Sequence, residues 1–298
     1  MAMKDTIRSS EERMFTIVNT VLLAIITLIV LYPLIFVVSA SLSSPIEVMN
    51  GNVWLFPKKF NFDSYRMVFR EPDIMTGYKN TLLYTVTGTA LNLLLNIAGA
   101  YALSRRDLAG RKLFTGIFVF TMFFSGGLIP TYLLVKNLNL IDSFWVMILP
   151  NAVSMWNIVI MRTYFQSSIP FELQEAAFAD GCSNTGILVR IILPLSKPII
   201  AVMVLFYGVM HWNAFFNALI YLSDRNKYTL QLILREILIQ NQMSEDILAD
   251  VDSLAMKQMI AEGIKYALII VASVPVLVLY PFLQKYFVKG VMIGAIKG

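Results

Sequence analysis

Six stretches of this chain, 14–46, 80–104, 113–135, 143–161, 198–223 and 266–284, contain no Asp, Glu, Lys or Arg. Each is long enough, or nearly so, for a helix crossing a hydrocarbon core of about 30 Å, which takes about 20 residues. Membrane barrels would instead show segments of about ten residues with alternating polarity, and no such alternation is present. The expected fold is therefore all-α: a polytopic membrane protein with six transmembrane helices. The 298 residues would suffice for two soluble domains, but 57% hydrophobic and 14% charged residues exclude that reading. The first run is far longer than the apolar region of a signal peptide, and five more follow it, so it is expected to be a retained span.

Six spans place both termini on one side, and the distribution of Lys and Arg says which. With the N-terminus in the cytoplasm, that side holds 13 of the 24 basic residues and 7 of the 19 acids, whereas the outer side holds 11 and 12. The positive-inside rule favours this orientation, above all through the short turn Arg105-Arg106-Asp107-Leu108-Ala109-Gly110-Arg111-Lys112. The net charge of +5 thus reflects topology and gives no sign of nucleic-acid binding. The expected organisation is a cytoplasmic N-terminus over 1–13, a transmembrane domain over 14–288 and a cytoplasmic tail over 289–298, with spans near 14–42, 80–104, 113–135, 143–161, 198–223 and 266–284. Gly126-Gly127, just before Pro130, marks a candidate break in the third span.

Several chemistries find no residues to carry them. Ion-coupled transporters usually keep a charge inside a span, and the only ionisable candidate is His211. No zinc helix of the His-Glu-x-x-His kind and no phosphate-binding Gly-x-x-x-x-Gly-Lys-Ser/Thr loop occurs. The lone Cys182 excludes an internal disulfide. The acidic cluster Glu245, Asp246, Asp250 and Asp252 lacks the spacing of a Ca²⁺ loop and reads as a solvated face. No catalytic or metal site is expected, and uphill transport would need energy from another subunit.

The segment 168–195 is the most patterned part of the chain. Ser168 and Pro170 signal a helix start, Glu172 and Glu175 lie where the helix dipole favours acids, and Gly181 supplies a stop. Ser183 or Asn184 can cap a second helix closed by Pro194. The result is a surface hairpin whose Ala176, Ala177 and Ala179 allow close approach and whose Glu175 and Asp180 suit basic partners. Taken alone, it is an amphipathic interfacial hairpin.

Its string resembles the E-A-A-x-x-x-G-x9-I-x-L-P signature of permease subunits in binding-protein-dependent ABC importers, through Glu175, Ala176, Ala177, Gly181, Ile191, Leu193 and Pro194. The family often has Phe seven residues after the glycine; Leu188 stands there in this chain. The Trp212-Asn213 pair and the ending from Val288 to Gly298 resemble the carbohydrate branch, in particular its polysaccharide and oligosaccharide permeases. The resemblance implies a multi-pass protein of the bacterial cell membrane that pairs with a second permease. Its further partners would be two ATP-binding subunits, which hold the ATP and Mg, and an extracytoplasmic solute-binding protein. The implied function is half of a translocation path for an oligosaccharide or polysaccharide fragment, with no cofactor in this chain. Glu172, Glu175, Ala176, Ala177, Asp180, Gly181, Ile191, Leu193 and Pro194 would couple to the ATPase. A permease for another small solute and a stand-alone channel or scaffold are the alternatives.

A sugar path needs amides for hydroxyls and aromatic faces for C–H groups. Tyr207, His211, Trp212, Asn213 and Asn217 in the fifth span offer both, with Asn151, Ser154 and Asn157 in the fourth as a facing wall. Tyr207 and His211 are four apart and share a helical face, as do Asn213 and Asn217. The competing role for all of them is hydrogen bonding between helices.

Overall fold

A computed structural model describes residues 10–244, 264–281 and 284, and these contain helices and no strand. The chain divides into two compact units, Met1–Arg70 with Ile237–Val271, and Glu71–Glu236 with Ala272–Gly298.

In the first unit, α1 (Ser10–Ser41) exposes almost all its apolar residues, as suits a helix whose surroundings are lipid or another apolar chain. Beyond it the chain folds into a compact lip with α2 (Pro45–Met49) and α3 (Asp63–Arg70). Buried serines hold the lip: Ser39 Oγ donates to Leu55 O at 2.6 Å, Ser41 Oγ pairs with Tyr65 Oη at 2.8 Å, and Lys58 N donates to Ser43 Oγ at 3.0 Å.

The second unit is built on α4 (Pro72–Ser104), which at 33 residues is about 50 Å long. It starts eight residues before the charge-free run, because Pro72 sits in its first turn and its added turns end beyond the apolar stretch. Along it Gly77, Thr81, Tyr84, Gly88, Asn92, Asn96, Ala100 and Ser104 form a buried stripe spaced by three or four residues. In a membrane helix the small and polar side chains turn inward, since lipid already satisfies the apolar ones. Against this stripe pack α7 (Met155–Ser168) and α11 (Lys197–Trp212). At Gly88 the helix faces His211 of α11, and a Cβ there would collide with the imidazole.

Among the described residues, three helices are long and apolar enough to cross a membrane: Glu12–Ser41, Pro72–Ser104 and α14 (Ile264–Pro281). Up to three more crossings come from bent pairs. In the third run, α5 (Arg111–Phe123) and α6 (Leu128–Asn137) meet at 112°, with Gly127 at φ +85 in the break. In the fourth, two 3₁₀ turns over Phe144–Asn151 meet α7 at 53°. The third bent pair joins the helical run 184–195 to α11 at 84°. The fifth charge-free run is itself interrupted, since α11 ends at Trp212 and α12 (Phe216–Tyr221) continues after a three-residue break, so Asn213 and Asn217 do not share one continuous helix face. After α12 the chain forms α13 (Leu230–Ser244); the acidic cluster that follows it and the tail over 289–298 lie outside the described residues.

Asp142 clasps α6 to α12. Its carboxylate accepts from Ser223 N and Asp224 N, both at 3.1 Å, and Lys227 Nζ lies 3.4 Å from its Oδ2. The backbone donor of Asp224, opposed by partial burial and helped by Ser223 and Lys227, holds the Asp142 carboxyl below the usual carboxylate range.

Candidate coupling hairpin and translocation path

The hairpin expected over 168–195 consists of α8 (Phe171–Ala179), α9 (Asn184–Ile187), a π turn over Leu188–Ile192 and α10 (Leu193–Leu195). Pro170 caps α8, and Ser168 belongs to the end of α7. At the other end Gly181 adopts φ +77, with Gly181 N donating to Phe178 O and Cys182 N to Ala177 O, each at 2.9 Å. This paired bonding is the Schellman stop, and the left-handed conformation explains the glycine. Ser183 Oγ then accepts from Gly186 N at 3.2 Å and caps α9. The helical run 184–195 meets α11 at 84°, so the hairpin turns away from the span after Pro194.

The residues of the hairpin divide into two sets. Ala177, Ile187 and Ile192 are buried in one apolar cluster with Phe165, Ile169 and Met203, and Leu188 and Ile191 pack against it. Leu193 is half-buried. Glu172, Glu175, Ala176, Asp180, Gly181 and Pro194 are exposed, leaving an uncovered face with three acids and small residues between them. The inward set fixes the hairpin to the bundle, and the outward set is free to meet a partner.

Arg105, which contributed only a charge to the sequence argument, ties this hairpin to α4. Its guanidinium is nearly buried, bonds Asp107 at 2.7 and 2.8 Å, and lies over the rings of Phe178 at 4.5 Å and Tyr101 at 5.9 Å. Tyr101 Oη in turn donates to Asn184 O at 3.3 Å. Arg105 therefore touches α8 directly and α9 through one side chain. Arg105 keeps the Asp107 carboxyl below its ordinary range. Arg106 repeats the contact one residue on, 4.3 Å from the Phe171 ring.

The residues proposed for a sugar path do not form one wall. Tyr207, His211 and Trp212 are buried, Asn157 nearly so, Ser154 and Asn217 are half-buried, and Asn151 and Asn213 are exposed. Trp212 Nε1 donates to Ala272 O at 2.8 Å, and its ring meets Tyr78 edge-on. Ser154 Oγ caps α7 by accepting from Asn157 N at 3.4 Å.

Two asparagines absent from the sequence argument, Asn92 and Asn96, organise the break in the fourth span. Asn92 Nδ2 donates to Asn151 O and Ala152 O at 2.6 and 2.9 Å, Asn96 Nδ2 donates to Ala152 O at 3.0 Å, and Ser154 N donates to Asn96 Oδ1 at 2.9 Å. Non-helical backbone at membrane depth requires such partners, since lipid offers none. With both amide hydrogens of Asn92 so used, its Oδ1 is the acceptor for His211 Nε2 at 2.7 Å, which assigns the proton to that nitrogen.

A model of binding-protein-dependent transport system inner membrane components matches residues 96–293. Protein LplC of Bacillus subtilis (strain 168) is 41% identical over 286 residues, 96% of each chain. The polygalacturonan/rhamnogalacturonan transport system permease protein YtcP of the same organism is 41% identical over 288 residues, 97% of this chain and 100% of its own. Among solved structures, a chain of a bacterial ABC transporter involved in the import of the acidic polysaccharide alginate superposes with a TM-score of 0.86 at 35% identity. The match covers 95% of this chain and 99% of that one.

Proposed function

Because the chain belongs to the family of binding-protein-dependent transport system inner membrane components, we propose that it forms half of the membrane path of an ABC importer for an oligosaccharide or polysaccharide fragment. The observation that carries the reading is the hairpin with its buried Ala177 and exposed Glu175 and Asp180, at the spacing of the family's coupling signature. A second permease completes the path. An extracytoplasmic protein delivers the sugar, and two ATPase subunits bind ATP and Mg and dock on the hairpin from the cytoplasm. The carbohydrate class is supported by the polysaccharides that the relatives are named for and by the amide and aromatic groups around the fifth-span break.

In mechanical terms, closure of the ATPases moves α8 and α9. Arg105 and Tyr101 pass the displacement to α4, and the apolar contacts of Ile187 and Ile192 pass it to the cluster shared with α7 and α11. The test is co-expression with the ATPase and the second permease. Glu175→Lys, which reverses a charge on the exposed face without disturbing the buried one, should lower ATPase retention and substrate-stimulated hydrolysis. Wild-type assembly and hydrolysis in this variant would sink the coupling role. An impermeant thiol reagent should label Cys182 in inside-out vesicles and spare right-side-out ones; the reverse result would overturn the N-inside orientation.

A further inference from the structure

A polar cavity of about 300 Å³ lies among the α4–α5 turn, the end of α7 and the start of α8. Ser104, Arg106, Arg111, Gln166, Phe171 and Gln174 line it, and none of its lining residues is acidic. Ser104 ends α4 and Arg111 begins α5, so the cavity sits at helix ends, on the face where basic residues accumulate. Neither Arg106 nor Arg111 enters an ion pair among the described residues; Asp107, the acid nearest in sequence, is taken by Arg105.

The donors there are left over. Arg106 is stacked on Phe171, which uses the face of the guanidinium and none of its in-plane N–H groups. Arg111 spends one nitrogen on Arg105 O at 3.3 Å. Gln174 is 6% exposed, faces the cavity, and its amide has no hydrogen bond within the described residues. One turn before Gln166 on α7, the Nε of Arg162 is buried without a partner among the described residues. Buried polar groups left in this state are costly unless something else satisfies them. A tetrahedral anion with several acceptor oxygens fits a set of guanidinium and amide donors that lacks a carboxylate.

We propose that this cavity binds a phosphate group, carried by an anionic phospholipid or free in solution, and so fastens the first turn of the coupling helix to the α4–α5 turn. The proposal rests on the cytoplasmic placement of that turn given above. Basic pockets between helices on this side of a membrane are suited to anionic headgroups.

Native mass spectrometry of the full-length chain in detergent, with phosphatidylglycerol or phosphatidylcholine added, reads the site without requiring an ATPase. Phosphatidylglycerol should be retained in preference, and Arg106→Gln and Arg111→Gln should each reduce the preference about fivefold. Gln174→Leu should weaken it with charge unchanged, which covers the case in which an arginine variant fails to fold. Arg190→Gln, on the hairpin outside the cavity, should leave it intact. Saturable binding of inorganic phosphate that the same variants abolish, with no lipid preference, would name free phosphate as the source and uphold the site. A lipid preference that survives the cavity variants, or wild-type chain that binds neither probe, would overturn the proposal. So would arginine variants that release the ATPase while lipid retention stays unchanged, since the cavity would then hold an acidic side chain of that partner. Because retention is read on the chain alone, loss of the site and loss of the importer reading are separate results.

Discussion

The guanidinium carbon of Arg105 lies 4.5 Å from the centre of the Phe178 ring, joining the end of α4 to the exposed hairpin helix α8. Asp107 holds the guanidinium on one side and Tyr101 on another, so its plane is fixed before the ring meets it. Arg105→Lys keeps the charge and loses that plane, and Phe178→Leu keeps apolar bulk and loses the π face. In a double-mutant cycle on thermal stability, the pair should couple by about 0.5–1 kcal/mol. Both single variants should lower substrate-stimulated ATP hydrolysis more than basal hydrolysis. Strict additivity in both measurements would remove this contact from the coupling route.

Gly181 offers a test of conformation separate from contact, because a Cβ there would meet nothing within 4 Å although φ is +77. Any cost of substitution is therefore backbone strain. Gly181→Val should destabilise the hairpin by at least ~1–2 kcal/mol, whereas Gly181→Asn, which tolerates the left-handed region, should stay close to wild type. The adjacent half-buried Cys182 supplies the readout, since its N–H closes the same stop. Thiol labelling should accelerate in the Val variant and not in the Asn variant. Equal rates in all three proteins would mean that Gly181 does not hold the turn.

The Asp142 clasp predicts a pH dependence of definite sign. A carboxyl whose folded pKa is depressed contributes stability that is fully present above its unfolded value, about 3.9, and is lost as pH falls through the folded value. Asp142→Asn should accordingly lower the melting temperature at neutral pH. The gap to wild type should then shrink on acidification and close below the depressed pKa. A gap that is constant with pH would assign the effect to packing or to the neutral hydrogen bonds.

The parts of this architecture that could be read in the sequence are those written in local chemistry. Absence of charge marks the apolar runs, and Pro170, Gly181 and Ser183 punctuate the hairpin within one or two residues of where its helices start and stop. The break in the third run announces itself through Gly126-Gly127. By contrast, the break at 152–154 depends on Asn92 and Asn96, about sixty residues earlier, supplying the partners that the backbone lacks. A charge-free string looks the same whether or not such partners exist. The break after Trp212 carries neither Gly nor Pro, so the fifth span reads as continuous. Arg105 is hidden when it is counted as charge: its role comes from the Phe178 ring, on a helix more than seventy residues away. The buried asparagines of α4 did carry a signal, the four-residue spacing of small and polar residues inside an apolar run.

That spacing bears on what passes through the protein, because it separates side chains that hold the bundle from those left to meet a solute. Trp212 is buried, bonded to Ala272 and set against Tyr78, and His211 closes on Asn92. Trp212→Ala should therefore lose about 3–5 kcal/mol of stability, as large aromatic truncations in packed cores do. Asn92→Leu would leave the His211 N–H and the Asn151 carbonyl without this partner, at about 1–3 kcal/mol for each unsatisfied group. Both should impair folding and uptake together. Asn213 differs: it is exposed at the break between α11 and α12, and its bonds are to Val209 O within its own turn and a long one of 3.4 Å from Gln231. Asn213→Ala should leave the melting temperature and basal ATP hydrolysis nearly unchanged. If this residue faces the sugar, oligosaccharide uptake should fall severalfold through a higher apparent KM, the signature of a lost substrate hydrogen bond. Uptake equal to wild type in Asn213→Ala, with the stable protein fully assembled, would take the fifth-span break out of the path and leave this wall of the bundle as packing alone.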